Sequence, residues 1–285
     1  MSRIVRLAVA AACAAAVALI IGMVAGGAAT PRIIPGLPDE GALTRWMLPV
    51  SKLALDGAAA LTVGLLLFSA MLLPSDKGML GKAAQGYVRA ASWAALAWAA
   101  AAASALMFGL SETLGVPVDQ LLGGSELTSY ASQVPQGIAL TLVVLFAASI
   151  AMFARGTMSV GATGALLLFA LATTLPPPLT GHSATSPNHG LAITSVAFHV
   201  VCLAPWVGGL VVLCVHAFRK EPHLAVAAAR FSRMALWCFI GVGLSGVASA
   251  AARLTSIGDL FTSAYGGLVL AKIAAFAVLG FLGWR

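Results

Sequence analysis

Three ionisable side chains stand inside otherwise apolar stretches of this sequence: Asp56, His199 and Lys272. A charged group at the centre of a lipid-embedded helix costs roughly 2.5–3.5 kcal/mol, so each marks a functional site or a neutralising partner. Asp56 and Lys272 could form one such ion pair, and Lys272 could instead snorkel toward the interface. His199 stands in a richer setting. Cys202 follows three residues later and projects from nearly the same helical face. Pro205 removes a backbone donor and should kink the helix below. Gly208-Gly209 then allows another helix to approach closely. A kinked, glycine-bearing helix with an inward histidine could wall an ion path. The same features also describe a packing seam in which His199 is a hydrogen-bonded core residue.

A second group of donors precedes this helix. The outer loop Leu179-Thr180-Gly181-His182-Ser183-Ala184-Thr185-Ser186-Pro187-Asn188-His189 carries two histidines and no charge, and such a pair can bind a soft or borderline metal such as copper or be incidental to a solvated loop. His182 follows a glycine, which permits an unusual backbone turn, and His189 could simply begin the next helix. The candidate metal ligands are therefore His182, His189, His199 and Cys202, with Asp56 and Lys272 as intramembrane charges. Met23, Met47 and Met107 form no Met-x-x-Met array and read as core filling. His216 and His223, beside Arg219 and Lys220, read as interfacial. No Walker loop, Gly-x-Ser-x-Gly or His-Glu-x-x-His is present, which argues against an ATP-driven pump and the common membrane hydrolases. The chain is expected not to be an enzyme.

The elements that position these groups follow from composition. The chain has 285 residues, of which 60% are hydrophobic and only 9% charged, with a mean hydropathy of +0.99. A soluble domain dresses its surface with about 25% charged residues. Eight apolar stretches, near 5–25, 47–73, 87–110, 135–154, 159–176, 191–215, 233–254 and 264–284, are long enough to cross a core about 30 Å thick as helix. The expected fold is an all-α polytopic transmembrane bundle of about eight helices, since helices satisfy their own backbone in lipid. The alternating segments of a β-barrel are missing. A division at residue 158 separates the first four helices (1–158) from the last four (159–285). The first stretch reads as an uncleaved helix. A signal peptide is the alternative, although the apolar run exceeds the usual h-region. Cys13, Cys202, Cys214 and Cys238 all fall in apolar stretches without a CxxC pair and read as small buried hydrophobes rather than a disulfide framework.

Orientation follows from the basic residues. A cytoplasmic N-terminus puts Arg3, Arg6, Lys77, Lys82, Arg89, Arg155, Arg219, Lys220, Arg230, Arg233 and Arg285 inside, and only Arg32, Arg45, Lys52 and Arg253 outside. The net charge of +7 is thus a topology signal. No basic run with interleaved aromatics supports nucleic-acid binding. In this topology Asp56, His199 and Lys272 lie at one depth, roughly 12–15 Å below the outer edge.

The C-terminal half, roughly residues 160–285, resembles the copper resistance protein D (CopD) family of bacterial inner-membrane proteins. Three segments carry the resemblance: Thr180-Gly181-His182-Ser183; Phe198-His199 through Trp206-Val207-Gly208-Gly209-Leu210; and Arg230-Phe231-Ser232, Leu244-Ser245-Gly246 and Tyr265-Gly266-Gly267-Leu268 with Lys272. The resemblance implies copper uptake or transport across the inner membrane, with copper ion as ligand and a periplasmic copper chaperone or respiratory oxidase as partner. It also implies, in actinobacteria, fusion to a following oxidase-assembly (CtaG-like) domain. No Met- or His-rich N-terminal copper sequence is present. The alternative function is a cytochrome c oxidase assembly factor that delivers copper or haem. A haem-bearing reading expects a second histidine at the depth of His199, and no other span offers one.

Overall fold

A computed structural model describes residues 39–121, 124–180, 189–252, 254, 256 and 258–284. The first apolar stretch therefore lies outside the described residues, as does His182. The remaining chain is built almost entirely of helices. Their order is α1 (Gly41–Leu67), extended by a π-helical turn (Phe68–Leu72), then α2 (Lys82–Leu114), α3 (Val118–Leu121), α4 (Glu126–Gln133) and α5 (Pro135–Ala154). After these come α6 (Val160–Thr173), α7 (Pro176–Thr180), α8 (His189–Phe218), α9 (Leu224–Ala251), α10 (Asp259–Thr262) and α11 (Ala264–Trp284). Among the described residues six segments are long and apolar enough to cross a bilayer: Gly41–Leu72, Lys82–Leu114, Pro135–Ala154, Val160–Thr180, Ile193–Phe218 and Leu224–Ala251. Tyr265–Phe281 forms a shorter apolar helix. The chain is an all-α, multi-pass membrane bundle.

The helices outrun the apolar stretches at their charged ends. α2 begins at Lys82, not near 87, and α9 begins at Leu224, well before 233. Hydropathy reads only the part in hydrocarbon, whereas Lys82, Arg89, Arg230 and Arg233 continue the helices into the interface. α8 runs unbroken through Pro205.

One end of the bundle collects the basic residues. Ser75–Asp76 and Met79–Leu80 form a two-stranded hairpin around Lys77 and Gly78, both at positive φ, as a two-residue hairpin turn requires. It is tied to the α5–α6 connection by Leu80 N–H to Met158 C=O (2.9 Å) and Val160 N–H to Gly78 C=O (2.9 Å). Arg230 Nη1 donates to the carbonyls of Met71, Leu72 and Leu73, closing the orphan acceptors after the π-helical turn as a cation at a helix C-terminus does. Arg155 Nε donates to Ser92 (3.1 Å), and its guanidinium lies over the Trp93 ring. At the opposite end Arg45 pairs with Asp39 and Glu40.

His216 belongs to the basic end but is not interfacial. It is fully buried, packed on Phe68 with ring centroids 5.0 Å apart. Its Nε2 donates to the Pro222 carbonyl (3.0 Å), so Nδ1 accepts from the Tyr87 hydroxyl (3.0 Å). Both ring nitrogens are satisfied, and the ring locks α2, α8 and the α8–α9 turn together.

The core lies between α1, α2, α5 and α8, with Val63, Leu66, Phe68, Ala91, Ala95, Trp98, Val143, Ala147, Ile150 and Val212 almost wholly buried. Small residues set the spacing. A Cβ on Gly64 would lie 2.1 Å from the Gly208 carbonyl carbon, and one on Gly208 would lie 1.8 Å from the Ala60 oxygen. α1 and α8 therefore cross backbone to backbone, as small residues allow in membranes. α11 is mostly exposed and is held by Phe276, which stacks on Phe239 (3.9 Å) and meets Trp206 edge-on.

Candidate functional site

Four helix registers place the polar groups. Thr44–Ser111, Phe68–Tyr87 and Ser69–Ala84 align α1 antiparallel to α2 and bring Asp56 level with Trp98. The Gly64–Gly208 crossing aligns α8 parallel to α1, level at Asp56 and Val200. Ser195–Ser249 (2.8 Å) and His199–Ser245 (2.9 Å) align α8 with α9. The Phe239–Phe276 stack aligns α11, with Lys272 near the level of Ser245. Asp56, His199 and Lys272 thus share one level of the bundle, but α8 separates Asp56 from the other two.

The first region is the α8–α9 seam. His199 is half-buried, and its Nδ1 lies 2.9 Å from Ser245 Oγ. The Ser245 hydroxyl donates to the Val242 carbonyl (3.0 Å). That proton is spent, so the network assigns the donor role to His199 Nδ1–H and leaves the Nε2 lone pair free for a ligand. The ring also lies within hydrogen-bonding range of the Val242 carbonyl, and its bond to Ser245 is made at Nδ1. Cys202 lies one turn below. A Cβ on Gly241 would fall 2.6 Å from its Sγ, so the thiol occupies the space that glycine leaves open. Cys238 is buried and lies within electrostatic range of Cys202. Lys272 lies within electrostatic range of His199. The seam can offer the His199 imidazole with the Cys202 sulfur one turn away, donor types that suit copper.

The second region is a cleft of about 310 Å³ on the opposite side of α8, lined by Asp56, Trp98, Thr173, Thr174, Pro177 and Val207 among others. Asp56 faces this cleft. It makes no salt bridge with Lys272 or any other cation among the described residues, which removes the ion-pair reading.

Of the candidate ligands, the seam brings His199 and Cys202 together. His182 lies outside the described residues. His189 opens α8, and its side chain lies outside the described set. Among the described residues no three of His, Cys, Asp and Glu converge as a metal-holding group. Three residues were not singled out from sequence. Ser245 was noted only within Leu244-Ser245-Gly246, and Cys238 only as a core hydrophobe. Trp98 carries no signal in its alanine-rich stretch.

A family model for the copper resistance protein D-like N-terminal domain matches residues 42–192, more than half of the chain. The chain belongs to the copper resistance protein D family. A second model, copper resistance protein D, matches residues 225–285. CopD membership makes this a copper-handling membrane protein. No curated protein and no solved structure matches it significantly. The first match holds Asp56, His182 and His189, and the second holds Cys238, Ser245 and Lys272. His199 and Cys202 fall between them, on α8.

Proposed function

We propose that this CopD protein carries copper into or across the bacterial inner membrane. The observation that supports the reading is His199, held by Ser245 with Nε2 open one turn above Cys202, at mid-membrane depth. His182, with His189, captures the ion on the outer face, and His199 with Cys202 receives it. A carried ion needs donors that release it as well as bind it, and a short series of small donor sets serves that better than a closed cage. Lys272 beside His199 sets the local field and opposes accumulation of positive charge. Asp56 acts from the far side of α8. The N-terminus lies in the cytoplasm, so the basic end faces inward. The protein works as a carrier rather than an enzyme, and a periplasmic copper chaperone supplies it.

Copper accumulation in cells lacking the protein tests the reading, with complementation by wild type or by His182→Ala plus His199→Ala. Wild type restores accumulation and the double variant does not. Restoration by the double variant defeats the carrier reading. Unchanged copper content with loss of oxidase activity on deletion would place the protein instead in oxidase assembly.

A further inference from the structure

We propose that Asp56 binds a proton from the outer face and that this proton travels inward with each copper ion. The inference rests on the carrier reading above and adds its energy source. What carries it is a carboxyl group without a counter-ion, set in a protein-lined cleft that ends at the crossing of α1 and α8.

The cleft lies within the bundle, with walls from α1, α2, α5, α6, α7 and α8. Asp56 is exposed in it, roughly 12–15 Å below the outer edge. Pro177 and Pro178 bound the cleft where the Val160–Thr180 span reaches the outer face. Ala60 and Val207 bound it on the inner side. There Gly208 meets the Ala60 carbonyl so closely that no Cβ fits, and Val63, Leu66 and Phe68 beyond it are wholly buried. Asp56 therefore communicates with the outer face and is sealed from the inner one.

Its surroundings decide which cation neutralises it. The described ion pairs of α1 belong to Arg45, with Asp39 and Glu40. Lys52, one turn outward, makes no salt bridge with Asp56 among the described residues. On α2 the nearest charged residues, Arg89 and Glu112, stand more than two turns from the level of Trp98. α5, α6 and α7 carry no ionisable residue. On α8, His199 and Cys202 belong to the seam on the other face, and His216 is locked at the basic end. A carboxylate alone among carbon loses its hydration without replacement. A hard metal ion would need about six oxygen ligands, but the hydroxyls of Thr173 and Thr174 are buried and bonded to their own helix. Copper would need nitrogen or sulfur donors, and no histidine, cysteine or methionine lines the cleft. A proton is the cation that needs no further ligand.

The step is acid–base chemistry. The Asp56 carboxylate takes one proton from the outer water and becomes a neutral carboxyl. On the inner side the carboxyl returns that proton to water, and no electron moves. α8 links the step to copper. Val200 and Leu203 line the cleft, and their chain neighbours His199 and Cys202 stand in the seam. Opening the crossing toward the inside has to move α8, and with it both sites.

The test uses the full chain reconstituted in liposomes at zero membrane potential, with Cu(I) held by ascorbate outside and a pH dye inside. Wild type should acidify the lumen as copper enters. With the lumen about one pH unit more alkaline, free copper should accumulate about tenfold, the ratio for one proton per ion. In the same gradient Asp56→Asn should let copper only equilibrate, with a ratio within about twofold of unity. Lys52→Ala should keep the wild-type ratio. Dicyclohexylcarbodiimide, which attacks protonated carboxyls in apolar surroundings, should label Asp56 in wild type by mass spectrometry, and an alkaline medium should suppress the label. Copper uptake by wild type with no acidification and no response to the gradient overturns the proposal and leaves the carrier reading standing. So does a full gradient response in folded Asp56→Asn. Loss of the ratio in Lys52→Ala makes Lys52 the counter-ion and overturns it as well. Failure of wild type to take up any copper defeats the carrier reading, and the coupling falls with it. An unlabelled Asp56 overturns the proton site in either case.

Discussion

The seam and the cleft lie on two faces of one helix, at one level, and treat polar atoms in opposite ways. In the seam nearly every polar atom has a partner: Ser195 with Ser249, His199 with Ser245, Ser245 with Val242. One lone pair, on His199 Nε2, is left over. In the cleft the Thr173 and Thr174 hydroxyls are buried and bonded to their own helix, the Trp98 Nε1–H is buried without a partner, and Asp56 stands exposed without a salt bridge. The seam shows how hydrogen bonds that orient a ring leave one atom available for chemistry. The cleft shows a cavity lined mostly by small and apolar residues beside a carboxyl group without a salt bridge. α8 must serve both regions, and its position is fixed by the glycine crossing with α1.

That shared wall gives the largest expected effect. Gly208→Leu drives a side chain into the Ala60 carbonyl. Overpacking usually costs 1–3 kcal/mol, and a clash with backbone belongs at the upper end, about 3 kcal/mol or more. Thermal denaturation of the purified protein should show it, with copper content lost as well. Full stability in the variant would mean that α1 and α8 do not meet backbone to backbone at this crossing.

His216 provides the next test, because it separates a structural histidine from a functional one. His216→Ala strands the Tyr87 hydroxyl and the Pro222 carbonyl. It should cost about 2–3 kcal/mol of stability and leave copper per folded molecule unchanged. His199→Ala should do the reverse, with a small stability change and loss of bound copper by metal analysis. Equal loss of copper in both variants would erase the distinction between the basic end and the seam.

The sequence made the bundle legible because hydrocarbon imposes one simple rule on composition and length. Seven of the eight apolar stretches fall on described helices, and the common level of Asp56, His199 and Lys272 follows from counting residues along spans of known direction. Partnership was harder to read. Asp56 and Lys272 carry opposite charge at one depth, which suggests a pair, but depth says nothing of which helices touch. Pairing is set by Gly64 against Gly208 and by Cys202 over Gly241, where the signal is the absence of a side chain. His216 looked interfacial because Arg219 and Lys220 follow it. The left-handed turn at Lys220 and His223 folds Pro222 back over the ring, and no local pattern announces that. The orphaned Trp98 donor is a property of the packed core and so becomes visible only in three dimensions.

Ser245 sharpens the seam itself. Ser245→Ala removes the acceptor for His199 Nδ1–H and should cost about 1 kcal/mol, in the range of interhelical hydrogen bonds in membranes. Freed from that bond, the ring samples other rotamers and tautomers, and copper content should fall about fivefold at limiting copper. Ser245→Thr should restore it. Thermal stability serves as the internal control. A copper loss that tracks a larger loss of stability and is not restored by threonine would mean that Ser245 supports packing rather than the orientation of one ring.

The smallest effect is the most discriminating about Cys202. Gly241→Ala places a methyl group 2.6 Å from the present Sγ position. The thiol can rotate away at a cost of about 1 kcal/mol, so the fold should survive and the His199–Ser245 bond one turn above should persist. If Cys202 and His199 hold copper jointly, turning the sulfur aside should lower copper content about twofold to threefold, while Cys202→Ser lowers it further. If copper content is unchanged in both variants, the thiol is only a space-filling partner for Gly241. The route then rests on the imidazole alone, and the difference between the seam and the cleft narrows to the one hydrogen bond that orients His199.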